Sequence, residues 1–186
     1  MTYYTTTNNQ REKIFFYIAA VSISLSSALL FLKIEFIHKL IVPSGFLIYG
    51  LLILWFDKHL WRTQWLNSLL SIPNLNGNWR GTNTLSDGTS EQLNVVITQT
   101  WLKIDIEVKT ESTISNICSA TFYIDTNSSK FLKYIYTIKP IKYDLAYNAY
   151  GEGCTELRIV DDNGTTLEGS YFSSKFRSGH FSLQRI

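Results

Sequence analysis

The sequence is poor in the residues that build metal sites and disulfide frameworks. Among 186 residues there are only two cysteines and three histidines. Cys118 and Cys154 stand alone, and no CxxC or Cys/His cluster offers the spacing of zinc ligands. Two cysteines do not make a disulfide framework, so we expect free thiols in a reducing compartment. The sequence therefore predicts no metal and no cofactor.

A strong excess of charge of either sign is also missing. Lysine and arginine outnumber aspartate and glutamate by 17 to 15, which gives a formal net charge of +2. Six of the basic and three of the acidic residues precede Pro73, so the remainder of the chain is near −1. Binding of duplex nucleic acid relies on a basic face that releases counterions. We therefore expect no DNA or RNA partner.

Patterns typical of an active site are missing as well. The sequence contains no P-loop, GxSxG or HExxH pattern. Of the three histidines, His180 alone lies in the second half of the chain, and most carboxylates fall in turns or on alternating strand faces. Nucleophilic catalysis needs a base and an orienting group beside the nucleophile. We therefore expect that the protein is not an enzyme.

Two long apolar runs lie near the N-terminus. Residues 14–32 carry no formal charge, and at about 1.5 Å per residue such a helix nearly spans a hydrocarbon core of roughly 30 Å. Residues 40–56 form a shorter run with Pro43 in its first turn, where proline is tolerated. A signal peptide is not expected, because the first run is too long and no cleavage site follows it. The sequence predicts a membrane protein with a hairpin of two transmembrane helices.

The basic residues around this hairpin predict its orientation. Four of them flank the hairpin on the outside and two lie in the connecting loop, which favours both termini in the cytoplasm. The predicted divisions are a cytoplasmic N-terminus (1–13), the two spans (14–32 and 40–56), a juxtamembrane helix and linker (57–72) and a cytoplasmic β domain (73–186).

Small residues recur at every fourth position of the first predicted span. Ala20, Ser24 and Ala28 share one helix face, and small side chains let helix backbones approach closely. Two interpretations stay open at this point. The stripe mediates self-association into a homo-oligomer, or it packs against the second span.

From Asn76 onward the hydrophobic period changes to two. Apolar and polar residues alternate, and turn sequences such as Asn163-Gly164 separate the runs. Meandering strands without helices predict an all-β, antiparallel barrel of about eight strands, and Gly77-Asn78-Trp79 resembles the GxW entry of lipocalin barrels. The strands are expected near 77–85, 90–100, 101–109, 116–125, 131–139, 145–150, 154–160 and 166–174, with a final one near 179–185.

The C-terminal part of the chain combines an aromatic ring, a hydroxyl and cations. Tyr171, Ser173 and Lys175 share one strand face, and Arg177 follows them. If that face is the lumen, the ring stacks a base and the cations bind phosphate. In the alternative interpretation this segment is a solvated turn. Gln99, Thr110 and Ser112 are similar: polar strand ends that offer hydrogen bonds to phosphate or are simply structural.

The order and spacing of these features resemble those of a known family. The resemblance runs from the paired spans through Leu75-Asn76-Gly77-Asn78-Trp79-Arg80-Gly81, Gln99-Thr100-Trp101 and Thr110-x-Ser112 to Leu167-Glu168-Gly169-x-Tyr171, Arg177 and Gly179. These motifs are similar to the two-transmembrane, β-strand-rich effectors of bacterial CBASS anti-phage defence, the fifteenth class of CD-NTase-associated proteins. One departure is Ser173-Ser174-Lys175, where a Thr-x-Arg-type run is expected.

The resemblance implies a signalling function at the bacterial inner membrane. A partner CD-NTase would make a cyclic dinucleotide, the barrel would bind it, and the chain would oligomerise in the lipid bilayer and disrupt it, killing the infected cell. The ligand-binding residues expected on this basis are Trp79, Gln99, Thr110, Ser112, Tyr171, Ser173, Lys175 and Arg177. Two other functions stay open: a tethered carrier of an apolar small molecule, and a non-catalytic membrane scaffold with a filled core.

Overall fold

A computed structural model describes residues 1–7, 10–31, 45–63, 66, 70, 72–141, 150–161, 164–174 and 177–186. The chain divides into two compact units. The barrel unit comprises Met1–Thr7 and Ile72–Ile186, and the helical unit comprises Asn8–Ser71. The N-terminal residues therefore belong to the barrel unit, although they are separated from the rest of it by the whole helical unit.

The helical unit contains two helices, α1 (Gln10–Phe31) and α2 (Gly45–Lys58), followed by a short 3-10 helix at Leu60–Arg62. Over Gln10–Leu29, α1 is long and apolar enough to cross a membrane, and 6% of this stretch is buried. It is the one helix with these properties among the described residues. The predicted second span falls partly on residues 40–44, which lie outside the described residues.

The serines of α1 satisfy their hydroxyl groups within the helix. The hydroxyls of Ser24 and Ser27 each donate to the carbonyl four residues earlier, both at 2.9 Å. The hydroxyl of Ser22 lies 2.8–2.9 Å from the carbonyls of Ala19 and Ile18. Bonds of this kind lower the cost of polar groups in an apolar medium, so the serines are compatible with a membrane helix.

The barrel unit is a closed barrel of nine strands. Eight of them, β2 to β9, pair antiparallel with their neighbours in sequence. The strands are β1 (Thr2–Thr6), β2 (Gly77–Leu85), β3 (Ser90–Gln99), β4 (Lys103–Lys109), β5 (Thr113–Ile124), β6 (Lys130–Pro140), β7 (Gly151–Ile159), β8 (Thr166–Ser173) and β9 (Ser178–Arg185). Pairing of β9 with β2 joins the two ends of this meander.

The strand count corrects one sequence expectation. The barrel has nine strands rather than about eight, because Thr2–Thr6 near the N-terminus adds a strand. Its threonines and tyrosines are strong strand formers, which explains the local conformation. The strand predicted at 145–150 falls on residues 145–149, which lie outside the described residues, and Tyr150 is not in a strand.

β1 closes a seam between β4 and β5. These two strands pair with each other only from Glu107–Asn116 to Lys109–Ile114. Beyond that point β1 lies between them, antiparallel to β4 and parallel to β5, so the barrel is not purely antiparallel. Without β1, the edges of β4 and β5 in this region would leave backbone N–H and C=O groups without hydrogen-bond partners. The N-terminal strand is therefore a structural part of the barrel.

One end of the barrel, which we call the closed end, is filled by large side chains. Trp79 is 1% exposed, its indole nitrogen donates to the Leu75 carbonyl at 3.0 Å, and the Arg185 guanidinium lies 4.8 Å from the ring centre. Trp101 and Tyr4 are buried beside them. The tryptophan of the GxW sequence thus plugs one barrel end.

The chain leaves and re-enters the barrel at the closed end. β1 runs toward this end and stops at Thr6, while Ile72 leads into β2 from the same end. At the opposite end, β2, β4, β6 and β8 finish and β3, β5, β7 and β9 begin. The cavity described next lies in that opposite half.

Candidate functional site

The barrel encloses a cavity of about 380 Å³. Every strand from β2 to β9 contributes to its wall, because inward-facing positions alternate along each strand. Its lining consists of Asn83, Glu91, Leu93, Val95, Val108, Thr110, Ser112, Thr113, Ser115, Tyr134, Tyr136, Ile138, Pro140, Thr155, Leu157, Tyr171, Ser173, Arg177, Phe181 and Leu183. The lining is mixed: aliphatic and aromatic side chains alternate with hydroxyls, and two side chains carry charge.

Tyr134 and Tyr136 project from β6 into the cavity. Burial raises the pKa of Tyr136 to about 12, and burial raises the pKa of Tyr134 further above its usual value of 10. A side-chain hydrogen bond with Thr155 opposes both shifts. Both phenols are therefore neutral at physiological pH, and their hydroxyls can donate as well as accept hydrogen bonds.

A hydrogen-bonded group of three polar side chains crosses β2, β3 and β8. Asn83 is 3% exposed, and its amide nitrogen donates to the Glu91 carboxylate at 2.8 Å. The same nitrogen lies 3.1 Å from the Tyr171 hydroxyl. Barrel closure through β9 brings these residues together, since β2 and β8 both pair with β9.

The β8–β9 turn places a cation at the cavity. Arg177 is exposed and lines the cavity together with Ser173. The backbone nitrogen of Ser173 donates to the Arg177 carbonyl at 2.9 Å, which fixes the ends of this turn. Arginine can form bidentate, charge-assisted hydrogen bonds with a phosphate, so this position suits an anionic ligand.

The β4–β5 turn contributes hydroxyls to the same cavity. Thr110 and Thr113 form a side-chain hydrogen bond of 2.9 Å, and the backbone nitrogens of Ser112 and Thr113 donate to the Thr110 hydroxyl at 3.4 and 3.1 Å. The Thr110 side chain thus shapes the turn. Ser112 is exposed beside the cavity.

The structure brings five of the eight predicted ligand residues to one place. Tyr171, Ser173 and Arg177 line the cavity from β8 and the turn after it, and Thr110 and Ser112 line it from the β4–β5 turn. That they bind a ligand remains a prediction. Lys175, which was predicted to share a strand face with Tyr171 and Ser173, lies outside the described residues.

The other two predicted ligand residues lie at the closed end and do not line the cavity. Gln99 is 1% exposed; its side-chain oxygen accepts from the Leu75 nitrogen at 2.8 Å and its amide donates to the Pro73 carbonyl at 3.2 Å. Gln99 therefore holds the segment before β2, and Trp79 fills the core. Both side chains point inward as expected, but they lie at the closed end and not in the half of the barrel that contains the cavity.

Sequence reasoning missed other residues of the cavity. Asn83 lies four residues after Trp79 on the inward face of β2, and Glu91 lies on the inward face that Leu93 and Val95 continue. The alternation of inward and outward residues along β2 and β3 could have identified both residues. Tyr134 and Tyr136 could have been found in the same way from the buried Leu132 on β6.

His180, the one histidine of the β domain, is exposed, while its neighbour Phe181 faces the cavity. Cys118 and Cys154 are both free thiols. Within the described residues, no group of three or more histidine, cysteine, aspartate or glutamate side chains could hold a metal ion.

The fold and the cavity define a class of protein: a small β-barrel whose lumen offers aromatic rings, hydroxyls and a cation to one ligand. Residues 70–185 match a family model described as Cap15, cyclic dinucleotide receptor domain. The CD-NTase-associated protein 15 of Yersinia aleksiciae is 32% identical over 194 residues, which cover 95% of this chain and 92% of that protein. The chain therefore belongs to the Cap15 family of CBASS effectors, and residues 70–185 form its cyclic dinucleotide receptor domain.

Two redesigned β-barrels bound to DFHBI, mFAP0 and mFAP1, are 16% and 15% identical to this chain, each with a TM-score of 0.28. Each covers 60% of this chain, and the alignments span 98% and 94% of their own lengths. A likeness at this level carries no argument about the ligand or the mechanism.

Proposed function

We propose that a cyclic dinucleotide binds in the cavity of the barrel and drives the membrane-anchored chain to oligomerise and disrupt the bacterial inner membrane. The observation that carries this proposal is the position of Tyr171, Ser173 and Arg177 around one cavity inside the receptor domain. The ligand comes from a partner CD-NTase that is activated by infection. Death of the infected cell then limits the phage.

The chemistry of the cavity suits such a ligand. Small-molecule sites commonly enclose about 300–1,000 Å³, and the cavity of about 380 Å³ falls within this range. Tyr134, Tyr136 and Tyr171 offer rings for the bases, since stacking on an aromatic ring contributes about 1–3 kcal/mol per base. Arg177 supplies a charge-assisted donor for a phosphate.

The two alternative functions, a carrier of an apolar molecule and a membrane scaffold, fit the cavity less well. A carrier of an apolar molecule would use a purely apolar lumen, whereas this lumen contains three tyrosines, Glu91 and Arg177. A scaffold would have a filled core rather than a cavity. The charged and hydroxyl groups therefore favour a polar, aromatic ligand.

The closed barrel also supports an even number of membrane crossings. Met1–Thr7 and Ile72–Ile186 form one barrel, so the chain between them must leave and return on the same side of the bilayer. We propose that α1, which overlaps the predicted span 14–32, and the predicted span 40–56 are these two crossings, with residues 57–72 as linker. Both termini and the barrel are then cytoplasmic, in agreement with the free thiols.

The small-residue stripe of α1 is a surface for assembly in this proposal. Ala20, Ser24 and Ala28 are all exposed within the helical unit, whereas Ser22 is 2% exposed. Packing against the second helix thus uses another face of α1, which favours self-association for the stripe. Ligand need only favour the assembled state, and confinement to a membrane raises the effective concentration of protomers.

We also infer that the barrel acts as a receptor without catalysis. Among the described residues that line the cavity, Glu91 is the one carboxylate and none is a histidine. General acid–base chemistry usually needs two titratable groups placed around the reacting bond. A hydrogen bond from Asn83 holds the Glu91 carboxylate in place.

A comparison of two cationic side chains tests the ligand site. Arg177→Ala removes a cation that lines the cavity, and a charge-assisted hydrogen bond contributes about 1.5–3 kcal/mol, so affinity for the cyclic dinucleotide should fall by roughly tenfold or more. Lys109→Ala is the matched control, because Lys109 is exposed and forms an ion pair with Glu107 at 2.8 Å. Equal effects of the two variants on the measured Kd would remove the β8–β9 turn from the site.

A further inference from the structure

Glu91 is out of place in a cavity that receives an anionic ligand. Its carboxylate lines the cavity, and within the described residues no lysine or arginine forms an ion pair with it. A phosphate brought against this carboxylate would be repelled. The part of the ligand that meets Glu91 must therefore supply hydrogen-bond donors, which in a cyclic dinucleotide are the base N–H groups and the free ribose hydroxyls. A base edge can offer two parallel N–H donors to one carboxylate, whereas each ribose has a single free hydroxyl, so the base edge fits Glu91 better.

Asn83 holds this carboxylate in a fixed position. The Asn83 side chain is 3% exposed, and its amide nitrogen donates to Glu91 at 2.8 Å. Within the described part of the chain its side-chain oxygen is buried without a hydrogen-bond partner, and it lies against Gly179, where an added Cβ would be 3.0 Å away. Because the Glu91 carboxylate can only accept hydrogen bonds, the NH₂ group of Asn83 turns toward it and the oxygen turns toward Gly179.

Tyr171 places a hydrogen-bond donor beside the acceptor oxygens of Glu91. Its hydroxyl oxygen lies 3.1 Å from the same Asn83 nitrogen. When that oxygen accepts from the amide, its own hydrogen is available to donate into the cavity. One donor on Tyr171 and the carboxylate acceptors of Glu91 are thus fixed side by side by one amide group.

Among the four common bases, guanine matches this order of groups. Its Watson–Crick edge presents one acceptor, O6, next to two donors, N1–H and the N2 amine. At the ring nitrogen where guanine has the N1–H donor, adenine and cytosine have an acceptor. Uracil has a single N–H donor between two acceptor oxygens. Two parallel hydrogen bonds from guanine to the Glu91 carboxylate would use the lone pairs that Asn83 leaves open.

We propose that Glu91 and Tyr171, positioned by Asn83, form a base-edge site that selects a guanine base of the cyclic dinucleotide. This inference rests on the proposed function, because it assigns one half of that ligand to one side of the cavity. Arg177 and the hydroxyls of the two turns then remain for the phosphates.

Binding of three ligands to the full-length protein in detergent tests this selection. Cyclic di-GMP presents the complete edge, cyclic di-IMP lacks the N2 amine, and cyclic di-AMP reverses the pattern. A good bidentate contact to a base gives roughly tenfold or greater discrimination, so titration calorimetry should rank the affinities in that order. Glu91→Gln keeps the size of the side chain but replaces an acceptor by a donor, and it should abolish the preference for cyclic di-GMP.

Two further variants separate recognition from loss of fold. Glu168→Gln changes an exposed carboxylate of β8 and should keep the full preference. Tyr171→Phe keeps the ring but removes the donor, and it should lower affinity for cyclic di-GMP more than for cyclic di-AMP. Equal affinities of the unchanged protein for the three ligands, or a preference retained in Glu91→Gln, would overturn the base-edge site alone. Binding of no cyclic dinucleotide at all would overturn both this site and the proposed function.

Discussion

Replacement of Tyr4 by alanine should open the seam of the barrel at its closed end. The Tyr4 side chain is 1% exposed, and its hydroxyl donates to the Trp101 carbonyl at 2.8 Å. It belongs to β1, which occupies the gap where β4 and β5 do not pair with each other. Alanine would remove both the buried ring and this hydrogen bond.

The size of the effect follows from the burial. A tyrosine ring buries about 200 Å², and about 25 cal/mol per Å² gives roughly 5 kcal/mol for its complete removal from water. Measured losses for aromatic-to-alanine changes are about 3–5 kcal/mol. Tyr4→Phe removes only the hydrogen bond, which contributes about 1 kcal/mol. At about 4 °C per kcal/mol, the Tm should fall by roughly 12–20 °C for alanine and about 4 °C for phenylalanine.

Thermal unfolding of the full-length protein in detergent, followed by near-ultraviolet circular dichroism, measures these shifts. Tyr3→Ala is the matched control, because Tyr3 is on the same strand and 69% exposed. A surface change of this kind usually alters stability by no more than about 0.5 kcal/mol, or about 2 °C. Equal shifts for the Tyr3 and Tyr4 variants, or an unchanged Tm in Tyr4→Ala, would refute the inclusion of β1 in the barrel.

Three more predictions follow from the structure. A Cβ at Gly153 would overlap the Tyr136 hydroxyl and lie 2.8 Å from the Phe172 carbonyl oxygen. Gly153→Ala should therefore push the Tyr136 ring into the cavity and weaken ligand binding, measured by calorimetry, roughly tenfold. An unchanged affinity would contradict this placement of the ring. Because burial raises the pKa of Tyr136 to about 12, the folded state keeps a proton that the unfolded chain loses near pH 10, and the Tm should fall as the pH rises from about 10 to 12. Tyr136→Phe should reduce this slope, and an identical slope would argue against the shift. Ser24→Leu should impair killing by the expressed protein without changing its ligand affinity, and undiminished killing would exclude the α1 stripe from assembly.

The meander of antiparallel strands could be predicted from sequence because its evidence is local. Alternating polarity and turn residues mark strands such as β3 and β4, and the pairing of consecutive strands follows from short connections. β1 could not be placed in the same way. The five residues of β1, just before α1, have strand propensity, but their partners in β5 lie more than a hundred residues away in sequence.

The candidate site was partly predictable for a related reason. Periodicity indicates which face of a strand a residue occupies, so Tyr171, Ser173 and Arg177 could be assigned to one region. It does not indicate depth along the barrel, which depends on register between strands, and Gln99 therefore lies at the closed end rather than at the cavity. The contact of Asn83 with Tyr171 requires closure of the sheet across β9. No local pattern contains that information.

Binding of a cyclic dinucleotide in the barrel is the central claim, and a thermal-shift titration of the full-length protein tests it most directly. At a ligand concentration of about 100 times Kd, binding to the folded state should add about 2.7 kcal/mol of stability, which at about 4 °C per kcal/mol raises the Tm by roughly 10 °C. We predict such a rise with at least one cyclic dinucleotide and none with the corresponding linear dinucleotide. A panel of cyclic dinucleotides that leaves the Tm unchanged at saturating concentrations would contradict the claim.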